Sequence, residues 1–375
     1  MRKFVHVLTM VCMLSVTLPT FSAFATEDNS VPFTGTDGTP VEIRHQETGN
    51  VSDARISAII AQAKEAIQQE RLEEGATEVT NAAEDSTYDY FFIDDGVTYL
   101  YEESPGSKAE LVILDSPQQE QSSSAVTDAV YNSEFETMAD FISDGVGGRQ
   151  RILQNGQYLS ARLQLPYDYQ VDPKGGAFNY GGFAYQSSAS GGVGSWVGDM
   201  GLQYDTTVGR YDTQSGWKPV VILKKKVYPD PKGWVQYSTV FDPGYQEATY
   251  KNAYQSASNV TFYVWYNYNG KVRLKIDGTT ICRERKCDSP SPSHTISIIE
   301  SNASWNINQF SYWKLLSTVI SSDNTGRNKG IFTNIQVDGR TVSGSSYAPP
   351  EEDHAKITRS GDTLTIDVDS SKYRD

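Results

Sequence analysis

Residues 259–278 read NVTFYVWYNYNGKVRLKIDG, two alternating runs on either side of Asn269-Gly270. Successive side chains on a strand point to opposite faces, so Phe262, Val264 and Tyr266 share one face and Tyr263, Trp265 and Asn267 the other. The second run sets Val272, Leu274 and Ile276 against Lys271, Arg273 and Lys275. Strict alternation implies one buried and one wetted face, the pattern of antiparallel sheets. Asn-Gly is the strongest short hairpin signal, and Asp277-Gly278 is expected to make the next turn.

Working outward, the same pattern continues. YLSARLQLP alternates Leu159, Ala161, Leu163 and Leu165 with polar residues, and FNYGGFAYQ, PVVILKKK, HTISIIES, FSYWKLLST and GIFTNIQVDG add strand-like runs. No helical period separates them. The expected fold is therefore mainly β, a two-sheet antiparallel jelly-roll sandwich over 131–345. Residues 346–375 should form a C-terminal hairpin and tail about Ser360-Gly361-Asp362.

The N-terminal third differs. Residues 26–150 carry 26 acidic and 6 basic side chains, against 14 and 20 over 151–345, so the net charge of −15 belongs to the first part. Such acidity argues against a nucleic-acid partner. Arg2 and Lys3, an apolar run from Phe4 to about Phe21 and Ala23-Phe24-Ala25 spell a signal peptide over 1–25, implying a secreted, extracellular protein with no membrane insertion after cleavage. Polar residues 26–50 are expected to be disordered. From Val51 to about Glu74, Ile56, Ile59, Ile60, Ala63 and Ile67 recur with helical spacing behind a capping Ser52. YDYFFIDDGVTYLYEE then reads as a hairpin and AELVILD as a third strand. Together 51–115 should form a small acidic α+β unit, joined to the β domain by a linker over 116–130 and removable from it. In an exported chain, Cys282 and Cys287 are close enough to close a small disulfide loop.

Two resemblances attach to these residues. The strand pair at 259–278, with the later GIFTNIQVDG, resembles concanavalin-like and laminin-G-like sandwiches. GSWVGDMGLQYD, WKPVVILKK and GWVQY resemble the YrpD-type secreted proteins of Bacillus and Paenibacillus relatives, over about residues 150–340. The second resemblance implies a compartment and a fold; that family being functionally uncharacterised, it carries over no activity and no catalytic residue.

Chemical motifs are sparse. Retaining glycosidases on concanavalin-like folds place two carboxylates about 5 Å apart on one strand face, but between 151 and 345 no two acids stand two residues apart. His294, the one histidine in that stretch, makes a Ser-His-Asp triad unattractive. Asp199, Asp205 and Asp212 match no calcium loop, so no metal and no cofactor is expected. The positive signal is aromatic. Flat rings beside amide and guanidinium donors suit a sugar, with its apolar C–H faces and hydroxyl edges. Tyr263, Trp265, Asn267 and Arg273 are the candidate ligand-binding residues, on the face opposite the core. The function expected is non-catalytic binding of extracellular glycan. The alternatives are a glycan-cleaving lyase or hydrolase with scattered catalytic groups, or a protein-interaction module.

Overall fold

The computed structural model describes residues 31–34, 38, 40–46, 51–77, 86–94, 97–115, 145–186, 194–205, 215–227, 239–241, 252–282, 292–301 and 310–374. The expected signal peptide and linker, together with Cys287, Trp234 and Tyr237, lie outside them. The fold is mainly β, with a single α-helix, Asp53–Thr77, among the described residues. Its strands connect into one 21-stranded mixed sheet.

The pairing has two runs. The first orders Val31–Thr34, Pro40–Gln46, Ala109–Asp115, Val97–Glu103, Thr87–Asp94 and Ser293–Ser301. It continues through Lys271–Cys282, Asn259–Tyr268, Tyr158–Gln164, Arg327–Val337, Thr363–Asp369 and Ala355–Ser360. The second orders Thr239–Phe241, Gly216–Val227, Gly194–Asp205, Gly176–Gln186, Phe310–Ile320, Gly145–Ile152 and Glu351–Asp353. Asn252–Tyr254 pairs with a strand of each run.

Two pairings, Pro40–Gln46 with Ala109–Asp115 and Ser293–Ser301 with Thr87–Asp94, are parallel. Both involve strands of the N-terminal segment, which makes the sheet mixed; the pairings among described strands within 131–345 are antiparallel, as expected. Parallel neighbours need a long crossover, and the helix with the following hairpin supplies one between Gln46 and Ala109.

The alternation read at 259–278 holds. Phe262, Val264, Val272, Leu274 and Ile276 are buried in one core with Leu159, Phe183, Trp217, Trp313 and Phe332, drawn from both runs. Asn269 and Gly270 take positive φ of 51° and 84°, the backbone a tight hairpin turn requires. The expected turn at Asp277-Gly278 does not form: the strand runs on to Cys282. Gly278 is small for packing, since a Cβ there would sit 2.7 Å from Val260 Cγ1. The same logic hid Gly145–Ile152 from pattern reading. Its Gly148 lets Ile366 approach to 2.6 Å of where a Cβ would be.

A second core lies on the opposite face of the first run. Ile56, Ile59, Ile60, Ala63 and Ile67 of the helix pack on Tyr88, Tyr90, Phe92, Tyr99 and Tyr101, and on Ile296 and Ile298. Each buried isoleucine stabilises this layer by roughly 1.5–3 kcal/mol. Ser52 Oγ accepts a hydrogen bond from Arg55 N–H, the expected cap. Val31–Thr34 and Pro40–Gln46 are strands, which corrects the disorder expected over 26–50 for these residues, because Val41 and Ile43 alternate into this core. The acidic α+β unit is thus no separate body. It extends the sheet through Thr87–Asp94 and caps its face.

Candidate functional site

Beyond the helix, the face opposite the first core carries a row of rings. Trp265 stands in register with Tyr158 on one neighbouring strand and with Arg273 on the other. Tyr263 is likewise set between Ser160 and Lys275. The Tyr263 and Trp265 rings lie 5.8 Å apart and 18° from parallel. Tyr158 is 5.4 Å from Trp265, and Tyr268 meets Trp265 edge-on at 5.6 Å. All four are half-buried. Arg162 and Gln164, on the same face farther along, are exposed. Tyr158 was missed in the sequence because register, unlike alternation, depends on a distant strand, and Tyr268 because a register shift between Trp265 and Tyr268 breaks the alternation. Burial, then the charges of Asp338 and Glu73, push the Tyr158 phenol above its ordinary value. Burial raises Tyr263 too, against the pull of Lys275.

The other two candidates are differently placed. Asn267 is exposed, but its Oδ1 accepts the Gly270 N–H at 2.9 Å, so it serves the turn. Arg273 is only 1% exposed and is not the surface donor expected. Its Nη2 donates to Glu70 of the helix at 2.6 Å, and Nη1 lies 3.6 Å from Glu300. The guanidinium also covers the rings of Tyr268, at 4.1 Å, and Trp265, at 5.5 Å.

Glu70 is the hinge of this arrangement. It pairs with both Arg273 and Lys275, so one helical carboxylate bridges two cations held under the helix, with Glu300 a second acid beside Arg273. Burial alone would lower the Lys275 pKa, but the Glu70 carboxylate more than offsets it and holds the ammonium above its usual value. Glu300 accepts from Lys271 at 2.7 Å and from Tyr90 at 2.8 Å. Burial and the Glu300 charge drive the Tyr90 phenol far upward.

Where helix and hairpin diverge, a cleft of about 220 Å³ opens. Gln62, Glu65 and Gln69 of the helix form one wall, Tyr268 and Lys271 the other, and Arg273 and Glu300 line it more deeply. It adjoins the aromatic row at Tyr268.

His294 stands between Ser86 Oγ and Asp277 Oδ1, each at 2.7 Å. These are the residue types of a nucleophilic triad, which one histidine did suffice to assemble. Yet Ser86 is 4% exposed, closed to a substrate, and the chain of bonds ties the start of Thr87–Asp94 to the strands Ser293–Ser301 and Lys271–Cys282 beside it. Asp199 forms an ion pair with Lys314 at 2.6 Å. Among the described residues no group of three or more His, Cys, Asp or Glu could hold a metal ion.

The model of the family described as "Domain of unknown function, YrpD" matches residues 139–368. The chain is 29% identical over 237 residues to the uncharacterised protein YrpD of Bacillus subtilis (strain 168), spanning 61% of this chain and 84% of that protein. Among solved structures, scytalido-glutamic peptidase with a transition state analog inhibitor aligns over 60% of this chain and 98% of its own, at 10% identity and a TM-score of 0.31. SCP-B, an Eqolisin-family peptidase in complex with a tripeptide, aligns over the same shares at 11% identity and a TM-score of 0.26. Superpositions this loose fix neither a fold nor an activity.

Proposed function

We propose that this chain, which belongs to the YrpD family, is a secreted, non-catalytic glycan-binding protein whose contact surface is the row Tyr158, Tyr263, Trp265 and Tyr268. The observation that carries the reading is the near-parallel, half-exposed pair Tyr263 and Trp265, flanked by further rings on an otherwise polar sheet face. Fully stacked core aromatics would be sealed. These keep part of their surface in water, where a sugar's C–H face can cover it. Binding is favoured over cleavage by the nearby carboxylates. Glu70 and Glu300 are tied to Arg273, Lys275 and Lys271, and Asp277 to His294, so their oxygens are engaged within the protein rather than turned toward a ligand on the rings.

Three further features belong to the same reading. Residues 1–25 direct export and are removed. Cys282 and Cys287 then form a disulfide that pins the end of the strand Lys271–Cys282. The two strand runs face each other as the layers of a concanavalin-like jelly roll, with the first core between them. Screening the mature protein on a glycan array, beside reducing-sugar and lyase assays on the bound glycans, tests the function. Binding without product formation is expected; product release, or no bound glycan, would overturn it. Intact mass with and without reductant tests the disulfide.

A further inference from the structure

The cleft beside the row has a composition of its own. Its helical wall offers the amides Gln62 and Gln69 and the carboxylate Glu65, its far wall the Lys271 ammonium and the Tyr268 ring. Amides and hydroxyl-bearing rings both donate and accept, which suits a ligand made of hydroxyl groups. The cleft holds no spare cation: Lys271 is paired with Glu300 and Arg273 with Glu70, while Glu65 adds a carboxylate to the wall. An anionic sugar would meet carboxylates that no excess cation neutralises, so this arrangement favours a neutral one. At about 220 Å³ the cleft is smaller than the roughly 300–1,000 Å³ of sites that enclose drug-sized ligands. One sugar ring is the scale of ligand it admits. Its geometry is also held in place. Lys271 is fixed by Glu300, Tyr268 by the overlying Arg273, and Gln62 donates to Tyr90. A polar wall held in this way costs less ordering on binding. Finally, the cleft and the aromatic row share Tyr268, so a chain laid along the row runs into it.

We infer that this cleft between helix and hairpin is a subsite for a single neutral hexose-sized residue, the terminal unit of a glycan whose following residues stack on Trp265 and Tyr263. The inference rests on the glycan-binding reading and goes beyond it by giving the ligand a neutral terminus and a direction. It also gives the helix, which lies outside the matched family region, a part in recognition.

The test uses the mature full-length protein, Gln69→Trp, which fills the cleft from an exposed rim position, and Trp265→Ala. Calorimetric titrations use methyl glycosides of glucose, galactose, mannose and N-acetylglucosamine, methyl glucuronide, and the best oligosaccharide from the array. At least one neutral methyl glycoside should bind, and Gln69→Trp should weaken it tenfold or more. Both variants should weaken the oligosaccharide. Oligosaccharide binding lost in Trp265→Ala but unchanged in Gln69→Trp would overturn the subsite and leave the glycan-binding reading standing. Stronger binding of methyl glucuronide than of every neutral glycoside would overturn the neutral assignment. Absence of any binding to the parent protein would remove both. Denaturant melts of each variant confirm that the comparison is between folded proteins.

Discussion

The same sheet face is used in two ways on either side of the strand Lys271–Cys282. Toward Ser293–Ser301 and Thr87–Asp94 it lies under the helix, its Ile296, Ile298, Tyr88 and Tyr90 sealed into the second core. Toward Asn259–Tyr268 and Tyr158–Gln164 it carries rings that remain half-exposed and ends in solvated Arg162 and Gln164. One strand serves both sides: Arg273 and Lys275 reach Glu70 of the helix while lying over Trp265, Tyr268 and Tyr263. Covering and exposing are thus decided by whether an apolar helical stripe is available to bury the strand, and that stripe ends near Ile67.

If the covered half is structural, its loss should have the largest effect. Deleting residues 26–125 would bare Ile296 and Ile298, leave Arg273 and Lys275 without Glu70, and open the edge of Ser293–Ser301. The shortened protein should lose its cooperative thermal melt or aggregate. A melt within a few degrees of the parent's would show that the two regions are independent.

Glu70→Ala comes next. Removing one partner of a buried ion pair typically costs about 3–5 kcal/mol because the remaining charges stay uncompensated, and Glu70 has two such partners. Urea midpoints would measure it. Trp313→Ala, in the first core, should fall in the same range of about 3–5 kcal/mol. Trp265→Ala, on the open half, should cost only about 1–2 kcal/mol, chiefly from its contacts with neighbouring rings and Arg273. Equal losses at the two tryptophans would erase the distinction.

The smallest effect concerns alkaline pH. Lys275 is raised in the folded protein, so its contribution is complete below the unfolded value of 10.5 and is lost as pH rises through the folded one. Melts taken above about pH 10.5 should fall more steeply for the parent than for Lys275→Met. The raised Tyr90 and Tyr254 phenols add a common alkaline loss to both proteins, whereas Tyr263, freed of the pull of Lys275, is raised further in Lys275→Met and narrows the difference between the two curves.

Much of this division was legible in the sequence, up to a definite point. Alternation assigned Phe262 and Val264 to the core and Tyr263 and Trp265 to the other face, and Ile56 to Ile67 announced the helical stripe. Local patterns carry such information because strand and helix periods differ. What covers a face is not local. Nothing near residue 273 says that Glu70, about two hundred positions earlier, seals Arg273. Nor does anything near residue 294 say that a parallel strand from the acidic segment lies beside it. The charge break that suggested a separable appendage marks a boundary in the chain, not in the packing. Acid-rich residues simply supply the outer layer of a more basic domain, with Glu70 where the two meet.

The central claim is that the open half recognises a ligand while contributing little to holding the fold. It is tested most directly by measuring, on the same samples of Trp265→Ala and parent protein, affinity for the best glycan from the array and the denaturant midpoint. The account predicts at least a tenfold loss of affinity with a stability loss of no more than about 2 kcal/mol, a size typical of half-buried aromatic contacts. Unchanged affinity, or a loss of several kcal/mol that returns Trp265 to the core, would contradict it.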